Sequence, residues 1–270
     1  MVKKIIHIAD LHIRTIQLHE LYKEQFEKLL KEIGSKFLEW ADENISHNEI
    51  RIVIAGDIAH QKINISNEQL LLTSWFLKEL SKYGKVVIIP GNHDFLENNM
   101  SRLDALTPII ESLKNENIVY YKNRGSYEDQ NVEWVVFSLM DHNVPPDITE
   151  SKGTKIGLFH GPVVGLSTDI GYKFEDGFDS SRFAGCDLVL CGDIHKRQVF
   201  PIPNEKKAYM VGSTIQQNFG ETVRKHGFGI YDVEEDKYEF VDLENSKPFL
   251  SFKITSIDDL VNGTEKLLNY

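Results

Sequence analysis

Cysteine is scarce. The 270 residues hold two, Cys186 and Cys191, with no CxxC pair. A disulfide framework and a zinc knuckle are set aside, and buried free thiols in a reducing compartment are expected. Basic residues are outnumbered: 30 Lys and Arg face 41 Asp and Glu, for a formal charge of -11 and a pI near 5.4. A bulk basic footprint for nucleic acid is therefore absent. DNA binding survives that absence, because carboxylates gathered in a metal site become counter-charge for cations. No apolar run reaches membrane-spanning length, so no membrane partner is expected. The opening MVKKII turns polar too soon for a secretory leader, which places the chain in a cytoplasm. Internal repeats and low-complexity tracts are missing as well.

With 41% hydrophobic and 26% charged residues, the chain suits one large globular domain with a small appendage. Apolar runs at residues 5–9, 50–55 and 86–89 read as buried strands. Between the first two, Leu18, Leu21, Tyr22, Phe26, Leu29, Leu30, Ile33, Phe37 and Trp40 recur at helical spacing. Ser66, with Gln69 three residues on, marks the cap of a second helix running to about Tyr83. A third helix is predicted over 103–113, with Pro108 at its start or at a kink. The second half is richer in strands, at 118–121, 134–139, 156–159, 188–191, 208–211, 229–233 and 238–243. The last two form a hairpin over residues 234–236. The fold class is α/β, with two packed mixed β-sheets flanked by helices. Beyond Pro248, a strand over 249–254 and a short helix over 257–268 are predicted. Long loops at 140–153 and 161–180 lie beside the presumed site.

Chemistry-bearing residues collect just after the apolar runs. They are Asp10-x-His12, Gly56-Asp57, Gly91-Asn92-His93-Asp94, His160-Gly161 and Gly192-Asp193-Ile194-His195. The C-terminal ends of parallel strands form one rim, so these groups can converge across long gaps. The set offers oxygen and imidazole donors and no thiolate. That suits two divalent ions, manganese first, with magnesium or iron as alternatives. Such a pair clamps the oxygens of an in-line phosphoryl displacement and needs a shared carboxylate, for which Asp57 is the natural candidate. His93 would stabilise developing charge or protonate the leaving oxygen. Asp94 would orient His93 or cap the turn.

The five blocks in this order resemble the calcineurin-like metallophosphoesterases, over about residues 5–196. The finer resemblance is to the nuclease subunit of SbcCD-type DNA repair and recombination complexes. The opening IADLH, the GDIAH block that carries His60, and the VGSTIQQNFGE segment at 211–221 support it. The resemblance implies an αββα sandwich and a metallophosphoesterase nuclease domain over residues 1–245. Residues 246–270 would begin a short or truncated C-terminal cap. One metal would take Asp10, His12, Asp57 and His195. The other would take Asp57, Asn92, His160 and Asp193, where the family usually has histidine. His93 would be the catalytic histidine, with His60 and Asp94 as supporting catalytic residues. The implied activity is exonuclease on duplex ends and endonuclease on single strands, with DNA and an SbcC-like ATPase as partners. A homodimer through first-half helices would fit as well. A phosphatase or cyclic-nucleotide phosphodiesterase of the same fold is the first alternative, and a non-catalytic scaffold the second.

Other residues carry less. His7 reads as structural, and His142 and His226 as exposed. The Lys196-Arg197 and Arg224-Lys225 pairs offer phosphate contacts. Tyr172, Phe174, Phe178 and Phe183 offer base stacking or plain packing.

Overall fold

The structure is a computed structural model that describes residues 1–14, 19–62, 64–148, 152–251 and 257. Its first half alternates as the periodicity predicts: β1 (Lys4–Ile8), α1 (His19–Asp42), β2 (Ile50–Ala55), α2 (Asn67–Leu80), β3 (Lys85–Ile89) and α3 (Thr107–Leu113). The short β4 (Ile118–Tyr120) follows, then β5 (Gly125–Asp129) and β6 (Val132–Phe137). The remainder is β7 (Thr154–His160), β8 (Leu188–Gly192), β9 (Gln198–Ile202), β10 (Lys206–Met210), β11 (Gly227–Asp232) and β12 (Lys237–Asp242).

These strands form two six-stranded sheets. One runs β12-β11-β1-β2-β3-β4, the other β5-β6-β7-β8-β10-β9. In the first, β1 to β4 are parallel and β11 enters antiparallel beside β1. In the second, β6, β7, β8 and β10 are parallel and the edges β5 and β9 antiparallel. Both sheets are thus mixed, as expected.

Burial follows the pattern. The strands of the parallel centre are apolar on both faces, because each face packs on something. One face of the first sheet meets α1 to α3 through Phe26, Ile33, Phe76, Ile52 and Ile88. Its other face meets the second sheet through Val53, Val87, Trp134, Leu158 and Leu190. The outer face of the second sheet is covered by the 161–186 segment, where Phe178 and Phe183 pack on Phe137 and Phe159. Those two phenylalanines are therefore core. Cys186 and Cys191 are buried free thiols in the same cluster, and burial pushes Cys186 up to about 12. His7 is buried between the sheets and meets Tyr238 Oη at 2.9 Å.

Several boundaries differ from the sequence pattern. Ser66 caps α2 by accepting from the Gln69 amide, but the helix ends at Leu80 rather than Tyr83. Helix α3 begins at Thr107, not Leu103, because Pro108 is suited to a first turn and Asp104 takes the Thr107 amide. Leu139 lies in a 3-10 turn instead of extending β6. Residues 249–251 are irregular where a strand was predicted. Leu18, the rest of that strand, and all but Ile257 of the terminal helix lie outside the described residues. Among those described, no helix is long and apolar enough to cross a membrane.

Candidate metal centre

The rim formed by the C-terminal ends of β1, β2, β3, β7 and β8 carries every block singled out above. His160 is the last residue of β7 and aims Nε2 at three oxygens. Asn92 Oδ1 lies at 3.2 Å, Asp57 Oδ1 at 3.4 Å and Asp193 Oδ1 at 3.7 Å. A second group forms beside it, with donor atoms of Asp10, His12 and His195 within 4.8 Å of one another. His12 Nε2 lies 3.0 Å from His195 Nε2 and 3.5 Å from Asp57 Oδ2. Asp57 therefore turns one oxygen to each group, the arrangement a shared carboxylate requires.

Backbone shape imposes this convergence. Asp10, His12, Asp57 and Asp193 all sit at positive φ, between 45° and 102°. That region disfavours side chains by roughly 1–3 kcal/mol per residue, and such strain gathers at functional sites. Gly91 is needed for close approach: a Cβ there would meet Asp57 Oδ1 at 2.1 Å. Ring orientations are set from behind. His160 Nδ1 lies 2.7 Å from the Ala55 carbonyl oxygen, and His93 Nδ1 lies 2.8 Å from that of His60. A carbonyl only accepts, so Nδ1 carries the hydrogen in both rings and Nε2 is left for other work. The His93 amide donates to Asp57 Oδ1 at 2.8 Å, and the Asp193 amide to both Asp10 oxygens at 3.1 Å.

The sequence profile of the calcineurin-like phosphoesterases matches residues 3–197, most of the chain and all of this rim. The chain belongs to that family. It is also 36% identical, over 270 residues, to an uncharacterized protein of Acanthamoeba polyphaga mimivirus, a match covering 94% of this chain and 19% of that protein. The chain thus spans about a fifth of the length of the curated relative it matches.

Calcineurin-like phosphoesterases hydrolyse phosphoesters and typically hold two divalent cations, and the donor set of this member fits them. Burial pushes Asp10 up to about 7, with the charges of Asp57 and Asp193 adding to it. Burial raises Asp193 as well. Burial also opposes the charge on Asp57, but His160 and His12 outweigh it and hold this carboxyl below the ordinary range. Burial drives His12 well below an ordinary imidazole. Among the described residues no Lys or Arg pairs with Asp10, Asp57 or Asp193. Closely packed acids without basic partners, interleaved with imidazoles and free of thiolate, form a donor set for hard to borderline divalent ions.

The remaining candidates divide. His60 is half-buried and adjoins His12, Nδ1 to Nδ1, at 3.4 Å, and its ring stacks on that of His93. Burial and then the Arg14 guanidinium lower it to about 4. Asp94 takes the turn-capping role of the two considered. Its carboxylate accepts from the amides of Gly91, Asp57 and Ala59 at 2.8–2.9 Å, and it tethers β3's loop to β2's. Two residues without an individual role in the sequence pattern belong here. Glu221 Oε1 accepts from His195 Nδ1 at 2.7 Å, and Arg14 reaches His60 Nε2 at 3.2 Å. Glu221 ends the 211–221 segment, so a signal existed; Arg14 had none. His226 is buried rather than exposed, because it packs on Ser213 Oγ at 3.0 Å and donates to the Thr222 carbonyl at 2.6 Å. The Lys196-Arg197 pair splits. Arg197 is engaged by Asp242 and lies over Phe240, while Lys196 donates to Ser167 Oγ at 3.1 Å.

Proposed function

We propose that this phosphoesterase is a metal-dependent DNA nuclease, an exonuclease on duplex ends and an endonuclease on single strands. It would work in DNA repair and recombination beside an SbcC-like ATPase. The observation that carries this reading is the placement of the 211–221 segment. That stretch resembles the nuclease subfamily, lies outside the profile match, and packs onto the metal centre. Glu221 holds His195, Thr214 Oγ1 donates to the Ala9 carbonyl at 3.0 Å, and the Gln217 amide donates to Glu221 at 2.8 Å.

In this reading Asp10, His12, Asp57 and His195 hold one cation, and Asp57, Asn92, His160 and Asp193 the other, with manganese preferred over magnesium or iron. Bound there, the cations supply Lewis acidity toward the phosphoryl oxygens and a nucleophile at neutral pH. The chain's own groups orient and move protons. His93 holds its Nδ1–H on the His60 carbonyl, so as the imidazolium it carries a second proton on Nε2, and that proton it gives to the leaving oxygen. Asp94 keeps the loop of Asn92 and His93 in register with Asp57. Arg14 sets a guanidinium beside His60, whose neutral ring stacks on His93. Residues 1–245 act as the nuclease domain and 246–270 begin a cap. The start of that cap lies on α1 and the 211–221 segment, with Lys247 Nζ on Glu24 at 2.7 Å and the Phe249 amide on Gln216 at 2.9 Å. A homodimer through α1 and α2 would have Leu38 and Leu71, each 67% exposed, to cover.

The test offers manganese with linear duplex DNA, single-stranded DNA and a small aryl phosphodiester. Both DNA forms should be cut and a chelator should stop it. Turnover of the small diester with DNA left intact would replace the nuclease by a phosphatase or cyclic-nucleotide phosphodiesterase. Cleavage that ignores the chelator would remove the metal mechanism.

A further inference from the structure

A cavity of about 280 Å³ opens directly beside His195 and Asp193, between the 161–180 loop and the 211–221 segment. Its walls are tied together, since Asp169 Oδ2 accepts from the Thr222 amide at 3.1 Å. Ile170 is 76% exposed yet lines the cavity, and it leans over Gly220, where an added Cβ would meet Ile170 Cγ2 at 3.4 Å. Phe174 lines it too, held edge-on by Tyr172 at 5.1 Å. The lining also holds the carboxylates of Asp169, Asp193 and Glu221 and the ammonium of Lys196, which donates to Ser167 Oγ at 3.1 Å and forms no ion pair with a carboxylate among the described residues.

These features point to one kind of occupant. An apolar wall with an aromatic side chain suits the flat face of a base. A lysine without a counter-ion suits a phosphate. The volume falls just below the ~300 Å³ at which ordinary small-ligand sites begin, so it takes a single unit rather than a folded chain. The cavity shares Asp193, His195 and Glu221 with the candidate metal centre, so its occupant sits next to the reacting phosphate. We infer that this cavity is a nucleotide subsite. It seats the base adjoining the scissile phosphate against Ile170 and Phe174, and Lys196 meets the next phosphate along the strand. The inference rests on the nuclease reading and deepens it.

The experiment uses the full chain with manganese and a set of single-stranded oligonucleotides, each carrying one abasic position. On the unaltered protein, one position beside the cut should raise KM roughly ten-fold, the loss of one base contact. In Ile170→Glu that position should lose its special effect, because the intact oligonucleotide already binds as weakly. Lys196→Gln should reduce the slope of log(kcat/KM) against log[salt] by about one. A photoreactive halouracil at the sensitive position should crosslink to Phe174, which reads contact without turnover. If the unaltered protein cuts DNA but shows no sensitive position, or Ile170→Glu keeps it, the subsite is overturned and the nuclease reading stands. If it neither binds nor cuts DNA while hydrolysing a small diester, the nuclease reading fails and the subsite with it.

Discussion

Asp57 presents Oδ1 toward His160 and Oδ2 toward His12, so one carboxylate faces both donor groups. Glu221 does a quieter job behind His195. A carboxylate on the far nitrogen of a ligating imidazole fixes its tautomer and raises its basicity, and losing one typically costs 10- to 100-fold in metal affinity. Glu221→Ala should therefore weaken manganese binding by roughly 10- to 100-fold in calorimetry, while His93→Ala should leave it unchanged. His93→Ala should instead lower kcat by about 10²- to 10⁴-fold, the usual weight of a general acid. An active His93→Ala enzyme would take that ring out of the chemistry. The strand-end residues were legible because each follows an apolar run and keeps its neighbours at fixed spacing. Arg14 was not, since nothing local distinguishes an arginine that bonds Tyr22 Oη at 3.2 Å and the Gln217 carbonyl at 3.4 Å, 203 residues away in sequence.

Elements were readable where two buried faces make a strand continuously apolar, and unreadable at the edges. β5 is GSYED, an edge strand with polar residues and no apolar run. β9 contains Pro201, which argues against a central strand and is tolerated here because β9 ends its sheet. β5 nonetheless ties the sheets together at the rim opposite the metal centre. Asp129 receives Arg51 Nε and Nη2 from β2, both at 2.7 Å, and Trp134 Nε1 at 3.2 Å, all in buried surroundings. Burial alone would raise the Asp129 carboxyl, but these bonds outweigh it and hold the group below its ordinary range. The depressed pKa fixes the sign: the stabilisation is present above the ordinary carboxylate pKa and is lost as pH falls through the lowered one. Asp129→Ala strands a buried guanidinium and should cost about 3–5 kcal/mol in denaturant titrations. A cost below about 1 kcal/mol would mean that water reaches Arg51.

For the whole molecule, the candidate metal centre spans both sheets. Asp10, His12, Asp57 and Asn92 come from the first, and His160, Asp193 and His195 from the second. Cations that bind only the assembled rim stabilise the fold by mass action, about 2.7 kcal/mol per site at a hundred-fold excess over Kd. For a chain this size that raises the unfolding midpoint by roughly 5–10 °C per filled site. Differential scanning calorimetry with manganese and then with chelator should show the rise and its reversal. An unchanged midpoint would place the ions off this rim.

The entry of β11 beside β1 has a consequence in time. Lys4 pairs with Asp232, and Glu221 reaches back to hold His195, so supports of the rim come from residues made after its donors. During synthesis β1 keeps an open edge until residue 232 has emerged, and contacts of such sequence separation form slowly. The donors along the rim are translated long before they are held in place. A chain that has not yet released residues 221–232 from the ribosome therefore carries the donors of the rim without the contacts that hold them.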